Sequence, residues 1–221
     1  HFECLQLCVG NMSYYDQCLT RLLQLIFNEC DAFRALKRFI FECDNPRRLL
    51  YMPMETVEQT SLKLLTLPTL YLETLLFISP ALSQLRTLKV HRLCTDSVEA
   101  VSSAEFVLGD CVRLDAHFDY HLPFEGIEVL LKKLPNLLCL KVTCDYVLFD
   151  GRRWEKILSE NCPHLRRCEI VFSFQYQFHH QPLLSAWPDN FSTAFWLERN
   201  LHVQHEEPIG HSVIRFSINR D

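Results

Sequence analysis

The sequence predicts an α/β solenoid, in which short parallel strands lie side by side and a helix or loop joins each to the next. Three observations predict it. One apolar phrase recurs at an interval of about 27 residues, and internal repetition at that period is the signature of a stacked array. Segments of helical periodicity lie between its copies. The 221-residue chain is 48% hydrophobic but has only 5 Gly, which suits a long continuous core and argues against a flexible linker or a Gly-rich phosphate loop.

The phrase is clearest at Leu137-Leu138-Cys139-Leu140-Lys141-Val142-Thr143-Cys144-Asp145. It reads apolar, two free positions, apolar, one free, apolar, two free, polar. The same frame fits Phe2-x-x-Leu5-x-Leu7, Leu36-x-x-Phe39-x-Phe41-x-x-Asp44, Leu62-x-x-Leu65-x-Leu67 and Leu85-x-x-Leu88-x-Val90. Looser copies are Cys111-x-x-Leu114-x-Ala116-x-Phe118-Asp119 and Leu165-x-x-Cys168-x-Ile170. The middle apolar residues, at positions 5, 39, 65, 88, 114, 140 and 168, mark about seven units over residues 1–173. A strand followed by a helix at this period points to a leucine-rich-repeat solenoid, a curved parallel sheet with helices on the convex side.

The connections follow in order. Ser13 to Asn28 places Tyr14, Cys18, Leu22, Leu25 and Ile26 at helical spacing. Residues 45–60, with Pro46 and Pro53, read as a longer loop within one unit. Leu72 to Leu82 is a helix interrupted near Pro80, and Ser97 to Phe106 is a weaker one. Phe124 to Leu134 puts Ile127, Leu130, Leu131 and Leu134 on one face, with Lys132 and Lys133 in the last turn, where cations suit the helix dipole. Gly151 to Asn161 turns Trp154, Ile157 and Leu158 inward and stops before Pro163. Beyond Phe172 the pattern changes to an aromatic-rich stretch with Phe174, Trp187, Phe191, Phe195 and Trp196. Two alternating runs around Pro208 and Gly210 then predict a β-hairpin. Residues 174–221 read as a C-terminal cap of the same domain, because the last unit of an array needs cover.

Strand periodicity sends the marker residues into the core and their neighbours to the opposite face. Asp44, Asp119 and Asp145 fall at the final polar position, where a side chain is needed to satisfy backbone groups as the strand turns away. Leu93 and Ser173 occupy that position in two other units. The outward residues form rows, among them Gln6, Ile40, Thr66, Lys89, Asp115, Lys141 and Glu169, flanked by rows containing Arg38, Arg113 and Arg167 and by Glu42, Pro68, His91 and His117. One reading of the alternating charges is a solvated ion-pair ladder; the other is a partner-binding stripe on the concave face. The candidate binding residues are Arg38, Lys89, His91, Arg113, Asp115, His117, Lys141, Arg167 and Glu169, with the arginines as anchors.

A net charge of −5 and a pI near 6.1 provide no general field for nucleic acid or anionic lipid, and no apolar run reaches the ~18 residues of a membrane helix. Protein partners are the expectation. Eleven cysteines, several on core positions (Cys111, Cys162, Cys168), read as reduced thiols in a cytoplasmic or nuclear protein. Two Asn-x-Ser triplets, at Asn11 and Asn190, point the other way. Cys139, Cys144, Cys162 and Cys168 lack Cys-x-x-Cys spacing and differ in phase, and His202, His205 and His211 or His179-His180 read as hairpin and loop residues. No catalytic residue, metal or cofactor is therefore expected. A thiol- or metal-dependent enzyme is the competing class.

At Asn161-Cys162-Pro163-His164-Leu165 the chain resembles the cysteine-containing leucine-rich repeats of F-box proteins, whose phrase is Cys-Pro-x-Leu followed by a strand. Leu134-Pro135-Asn136-Leu137 repeats it with Leu for Cys, and Gly109-Asp110-Cys111 keeps the Cys without the Pro. The resemblance covers residues 1–173. It implies a substrate-binding repeat region of a ubiquitin-ligase receptor, joined to the ligase adaptor through an F-box not seen in this chain. Leu67-Pro68-Thr69-Leu70-Tyr71-Leu72-Glu73 has only the opening of one. A stand-alone scaffold or inhibitor is the second expectation.

Overall fold

The structure is a computed structural model that describes residues 3–9, 15–29, 33, 35–43, 59–102, 106–145, 148–175, 191–206 and 211–219. Its strands form one open, mostly parallel ten-stranded sheet. β1 (Cys4–Val9), β2 (Arg38–Cys43), β3 (Leu64–Leu67), β5 (Thr87–Cys94), β6 (Arg113–Phe118), β7 (Cys139–Asp145) and β8 (Arg167–Gln175) pair in parallel, in chain order. The two-residue β4 (Leu70–Tyr71) adds to the end of β5. The seven marker residues stand in one row, Leu5 beside Phe39, then Leu65, Leu88, Leu114, Leu140 and Cys168. From Phe39 onward every member of that row is at most 3% exposed.

The helices are α1 (Tyr15–Gln24, continued by a π turn at Leu25–Glu29), α2 (Leu72–Ile78, followed by a 3-10 turn at Ser79–Leu82), α3 (Val98–Ser102), α4 (Phe124–Lys132), α5 (Gly151–Asn161) and α6 (Ala194–Glu198). The 3-10 turn holds Pro80, which explains the interruption read from the sequence. From α2 to α5 they pack side by side. Their inward residues, among them Leu75, Ile78, Ile127, Leu130, Trp154 and Ile157, share one core with the marker row. Asp150 caps α5 by accepting from the Arg153 N–H at 3.0 Å. Residues 44–58, which include most of the expected loop at 45–60, lie outside the described residues, as does Asp44.

The same turn precedes five of the strands. Leu36 N–H donates to Phe33 O, Leu85 to Leu82, Cys111 to Leu108, Leu137 to Leu134 and Leu165 to Cys162. The phrase Cys162-Pro163-His164-Leu165 is thus a four-residue turn with proline second, where its fixed φ suits the bend. Its first residue is buried and its last is packed against the core. Each strand then opens with two successive N–H groups on one carbonyl of the strand before: Lys63 and Leu64 on Lys37 O, Arg86 and Thr87 on Lys63 O, Val112 and Arg113 on Arg86 O. Leu138 and Cys139 share Val112 O, and Arg166 and Arg167 share Leu138 O. Together with Lys37 and Arg38 on Glu3 O, this shared carbonyl locks the register at the start of β2, β3, β5, β6, β7 and β8.

Three details depart from the expected frame. Val90 pairs with Ala116 but Leu93 pairs with Phe118, so His91 and Arg92 together oppose His117 in a bulge. The extra residue shifts the frame by one: Leu93 joins the core beside Phe118, and Cys94, partner of Tyr71, takes the position assigned to Leu93. His91 and Pro68 therefore leave the outward row in which the sequence placed them. Thr66 does lie in its row between Ile40 and Lys89, yet it is 3% exposed.

β9 (His202–Glu206) and β10 (His211–Asn219) pair antiparallel, and β10 also runs antiparallel to β8 over nine residues. Phe191 stacks on Phe216 with centroids 3.8 Å apart, and Phe172 meets Phe149 edge-on at 4.9 Å. Trp196 is fully buried beside Phe191. Trp187 and the side chain of Phe174 lie outside the described residues.

Nine cysteines are described, all as free thiols; Cys4 and Cys8 are exposed, whereas Cys94, Cys111, Cys144, Cys162 and Cys168 are buried. Burial pushes the Cys111 thiol up to about 11, the Cys162 thiol up to about 12 and the Cys168 thiol higher still. The unfolded chain therefore loses these protons first. Stability from the buried neutral thiols is full below about pH 9, the unfolded value, and declines as pH rises through the folded values. Native Ellman titration at pH 8 should label Cys4 and Cys8 rapidly and leave the buried thiols unmodified until denaturant is added.

The phase of the strands is testable at one pair of neighbours. Leu140 is 1% exposed, and Leu140→Ala should cost roughly 2–5 kcal/mol. Lys141→Ala on the open face should stay within about 0.5 kcal/mol of wild type. Urea denaturation of both variants reads the difference.

Candidate partner-binding face and an adjoining polar cleft

The face opposite the helices carries the candidate residues. Arg38 lies on β2, Lys89 and His91 on β5, Arg113, Asp115 and His117 on β6, Lys141 on β7, and Arg167 and Glu169 on β8. All nine are exposed or half-buried. Arg113, Cys139 and Arg167 are successive neighbours in one row, and Lys89, Asp115, Lys141 and Glu169 are successive neighbours in the next. His117 stands beside Thr143 in a third row. Arg38 pairs with Leu64, two strands before Thr87 and Arg113 have continued its row. The strands thus bring eight of the nine into three aligned rows; the bulge sets His91 aside.

The expected continuous ion-pair ladder forms only in part. Lys141 Nζ lies 3.5 Å from Glu169 Oε2, and Arg215 Nε of β10 lies 3.2 Å from Glu169 Oε1. Arg113 approaches Asp115 on its own strand at 3.9 Å. These exposed pairs are worth about 0.2–1 kcal/mol each. Among the described residues, Lys89, Arg167 and Arg38 have no carboxylate partner. The face therefore keeps charge that the fold does not use.

At the carboxyl ends of β4 and β5 and just beyond β6, an open cleft of about 360 Å³ is lined by Tyr71, Arg92, Cys94, Thr95, Asp96, Asp119, Tyr120 and His121. Asp119, 4% exposed, anchors it. Its Oδ2 accepts from Arg92 Nε at 2.5 Å and its Oδ1 from the His121 N–H at 3.0 Å. Its own N–H donates to Leu93 O, so the side chain closes the bend the frame assigned to it. The hydrogen bond that Arg92 donates to Asp119 holds its guanidinium above the ordinary value. Glu73 Oε1 gathers Thr95 Oγ1 and the N–H groups of Asp96 and Ser97 at 2.7–2.9 Å, fixing the opposite wall. Tyr120 is 58% exposed and lies against His121. The Asp145 side chain lies outside the described residues.

The Arg92–Asp119 pair escaped the reading of the sequence. The two residues are 27 apart and are not a register pair, since β5 and β6 partners lie 26 apart before the bulge and 25 after it, so no frame position announced the contact. Asp119→Ala should cost about 1–3 kcal/mol by leaving Arg92 and the His121 N–H without their acceptor. Asp119→Asn should recover part of that loss, as read by chemical denaturation.

Among the described residues, the sulfur and imidazole groups weighed as ligands do not converge; His179, His180 and the His211 side chain lie outside them. Cys139 faces outward while Cys168, beside Leu140, is buried. His202 and His205 oppose Ser217 and Ile214, which are on opposite faces of β10. Among the described residues, no group of three His, Cys, Asp or Glu is placed to hold a metal ion. No described helix is long and apolar enough to cross a membrane. Compared with protein-family models and with curated proteins, the chain matches none.

Proposed function

We propose that the chain is a non-catalytic protein-interaction module, the substrate-binding leucine-rich-repeat region of an F-box-type ubiquitin-ligase receptor. The observation that carries the reading is the regular parallel pairing of seven strands with their marker residues in one row, buried from Phe39 to Cys168. In this reading residues 1–173 are the repeats, the sheet is the concave side, and the hairpin and its aromatic cluster are the cap. Stacked units of this kind leave a broad surface of aligned side chains, suited to a macromolecule. The Cys162–Leu165 turn supports the cysteine-containing repeat type. A cytoplasmic or nuclear location goes with the proposal.

A second reading, a stand-alone scaffold or inhibitor, is favoured by one observation. The stretch Leu67–Glu73, with its F-box-like opening, forms the end of β3, all of β4 and the start of α2. Those residues are engaged in the sheet and the first turn of α2 and are not free to hold an adaptor. Co-purification of the full-length protein from cells separates the two. Recovery of the ligase adaptor supports the receptor. A partner lost on Arg113→Ala with Arg167→Ala, without the adaptor, supports the scaffold. A partner insensitive to those substitutions overturns docking on the open face.

A further inference from the structure

We infer that the open face receives an acidic segment of a partner protein, laid in extended form across strands β5 to β10. The inference rests on the reading of this face as a docking surface and adds the chemistry of what docks.

Five consecutive strands each contribute a cation to the band: Lys89 from β5, Arg113 from β6, Lys141 from β7, Arg167 from β8 and Arg215 from β10. Lys89 and Lys141 share one row, and Arg113 and Arg167 share the adjacent one. These four cations therefore zigzag, and Arg215, opposite Val171, stands one row further along; the band is about 20 Å long, given ~4.8 Å between strands. Two carboxylates, Asp115 and Glu169, interrupt it. The band is net positive although the chain carries −5. At physiological salt, screening acts over about 8 Å, so a ligand on the sheet feels the band more than charges elsewhere on the chain.

An extended peptide suits the length of the band. It turns alternate side chains, about 6.6 Å apart, to one face, so roughly seven residues span the ~20 Å band and offer it about four carboxylates. Lys89 and Arg167 have no carboxylate among the described residues, so a ligand need not displace one to reach them. Arg113 and Arg167 flank Cys139, a small half-buried side chain that leaves room for a carboxylate between two guanidinium groups.

Fluorescence anisotropy with three labelled probes tests this: a peptide of alternating Glu and Ser, one of alternating Lys and Ser, and a single-stranded oligonucleotide. The acidic peptide should bind and weaken several-fold as salt rises from about 50 to 150 mM. Arg113→Glu with Arg167→Glu should reduce its affinity at least about tenfold, while Arg152→Glu on α5 leaves it unchanged. Arg113→Gln with Arg167→Gln gives the same direction if the charge reversal disturbs folding, which circular dichroism reads. Equal or tighter binding of the oligonucleotide overturns a protein segment as occupant. Binding of the basic peptide alone, lost in the face variants, overturns the acidic partner while sparing the docking face. Acidic-peptide binding that survives both double variants overturns the face as well. No binding by any probe overturns the inference and leaves co-purification to decide the face.

Discussion

Truncation after Gln175 is expected to give an aggregating or molten species, not a shorter folded sheet. The cut removes β10, which pairs with β8 over nine residues, and exposes a row of backbone groups along β8. It also removes Phe191, Trp196, Ile214, Phe216 and Ile218, each at most 4% exposed, and uncovers Phe172 and Phe149. A buried aromatic side chain covers ~150–250 Å², and at ~25 cal/mol per Å² three of them contribute an amount comparable with the whole stability of a domain, about 5–15 kcal/mol. Size-exclusion chromatography and near-ultraviolet circular dichroism provide the readout. A monomeric truncated chain that unfolds cooperatively near the parent midpoint would show that the tail is a separate segment.

Trp154→Ala is expected to be the most destabilising single substitution on α5, at about 3–5 kcal/mol. Trp154 is fully buried, parallel to the Phe118 ring with centroids 6.3 Å apart and edge-on to Phe124 at 5.9 Å. Its Nε1 donates to Leu148 O at 3.0 Å, so truncation creates a cavity and also strands a carbonyl. Trp154→Phe retains an aromatic contact but not the hydrogen bond and should fall between the alanine variant and wild type. Guanidinium denaturation measures both. Equal costs for the two variants would mean that the hydrogen bond, and not the ring volume, dominates.

The strands, their register and the open-face rows were legible because one pattern encodes all three. Leu88, Leu114 and Leu140 share a frame position, so finding the frame places them side by side. The helices were legible from spacing, and Pro80 marked where α2 tightens. The bulge was not legible: His91 and Arg92 are both polar, and a polar pair in a strand does not say which residue is extra. Leu93 consequently looked like an exception at a polar position when it is a core residue displaced by one. The cleft depends on that same displacement and on Glu73 reaching across to the turn after β5, a contact between distant segments that no local pattern announces. The unpaired state of Lys89 was equally hidden, because row neighbours of opposite charge need not close to bonding distance.

The register locks at the strand starts carry a consequence for how such a chain tolerates change in length. Successive residues of the marker row are separated by as few as 23 positions, Leu65 to Leu88, and as many as 34, Leu5 to Phe39. The row stays aligned because each turn and shared carbonyl begins the count afresh. Insertions and deletions between strands should therefore pass through a lineage with little effect on the fold, whereas those inside a strand reverse every side chain up to the next reset. Arg92 is the instructive exception. Deleting it would bring β5 back into even step with β6, and would take away the cation that the buried Asp119 holds. Backbone regularity and charge balance make opposite demands on that one residue.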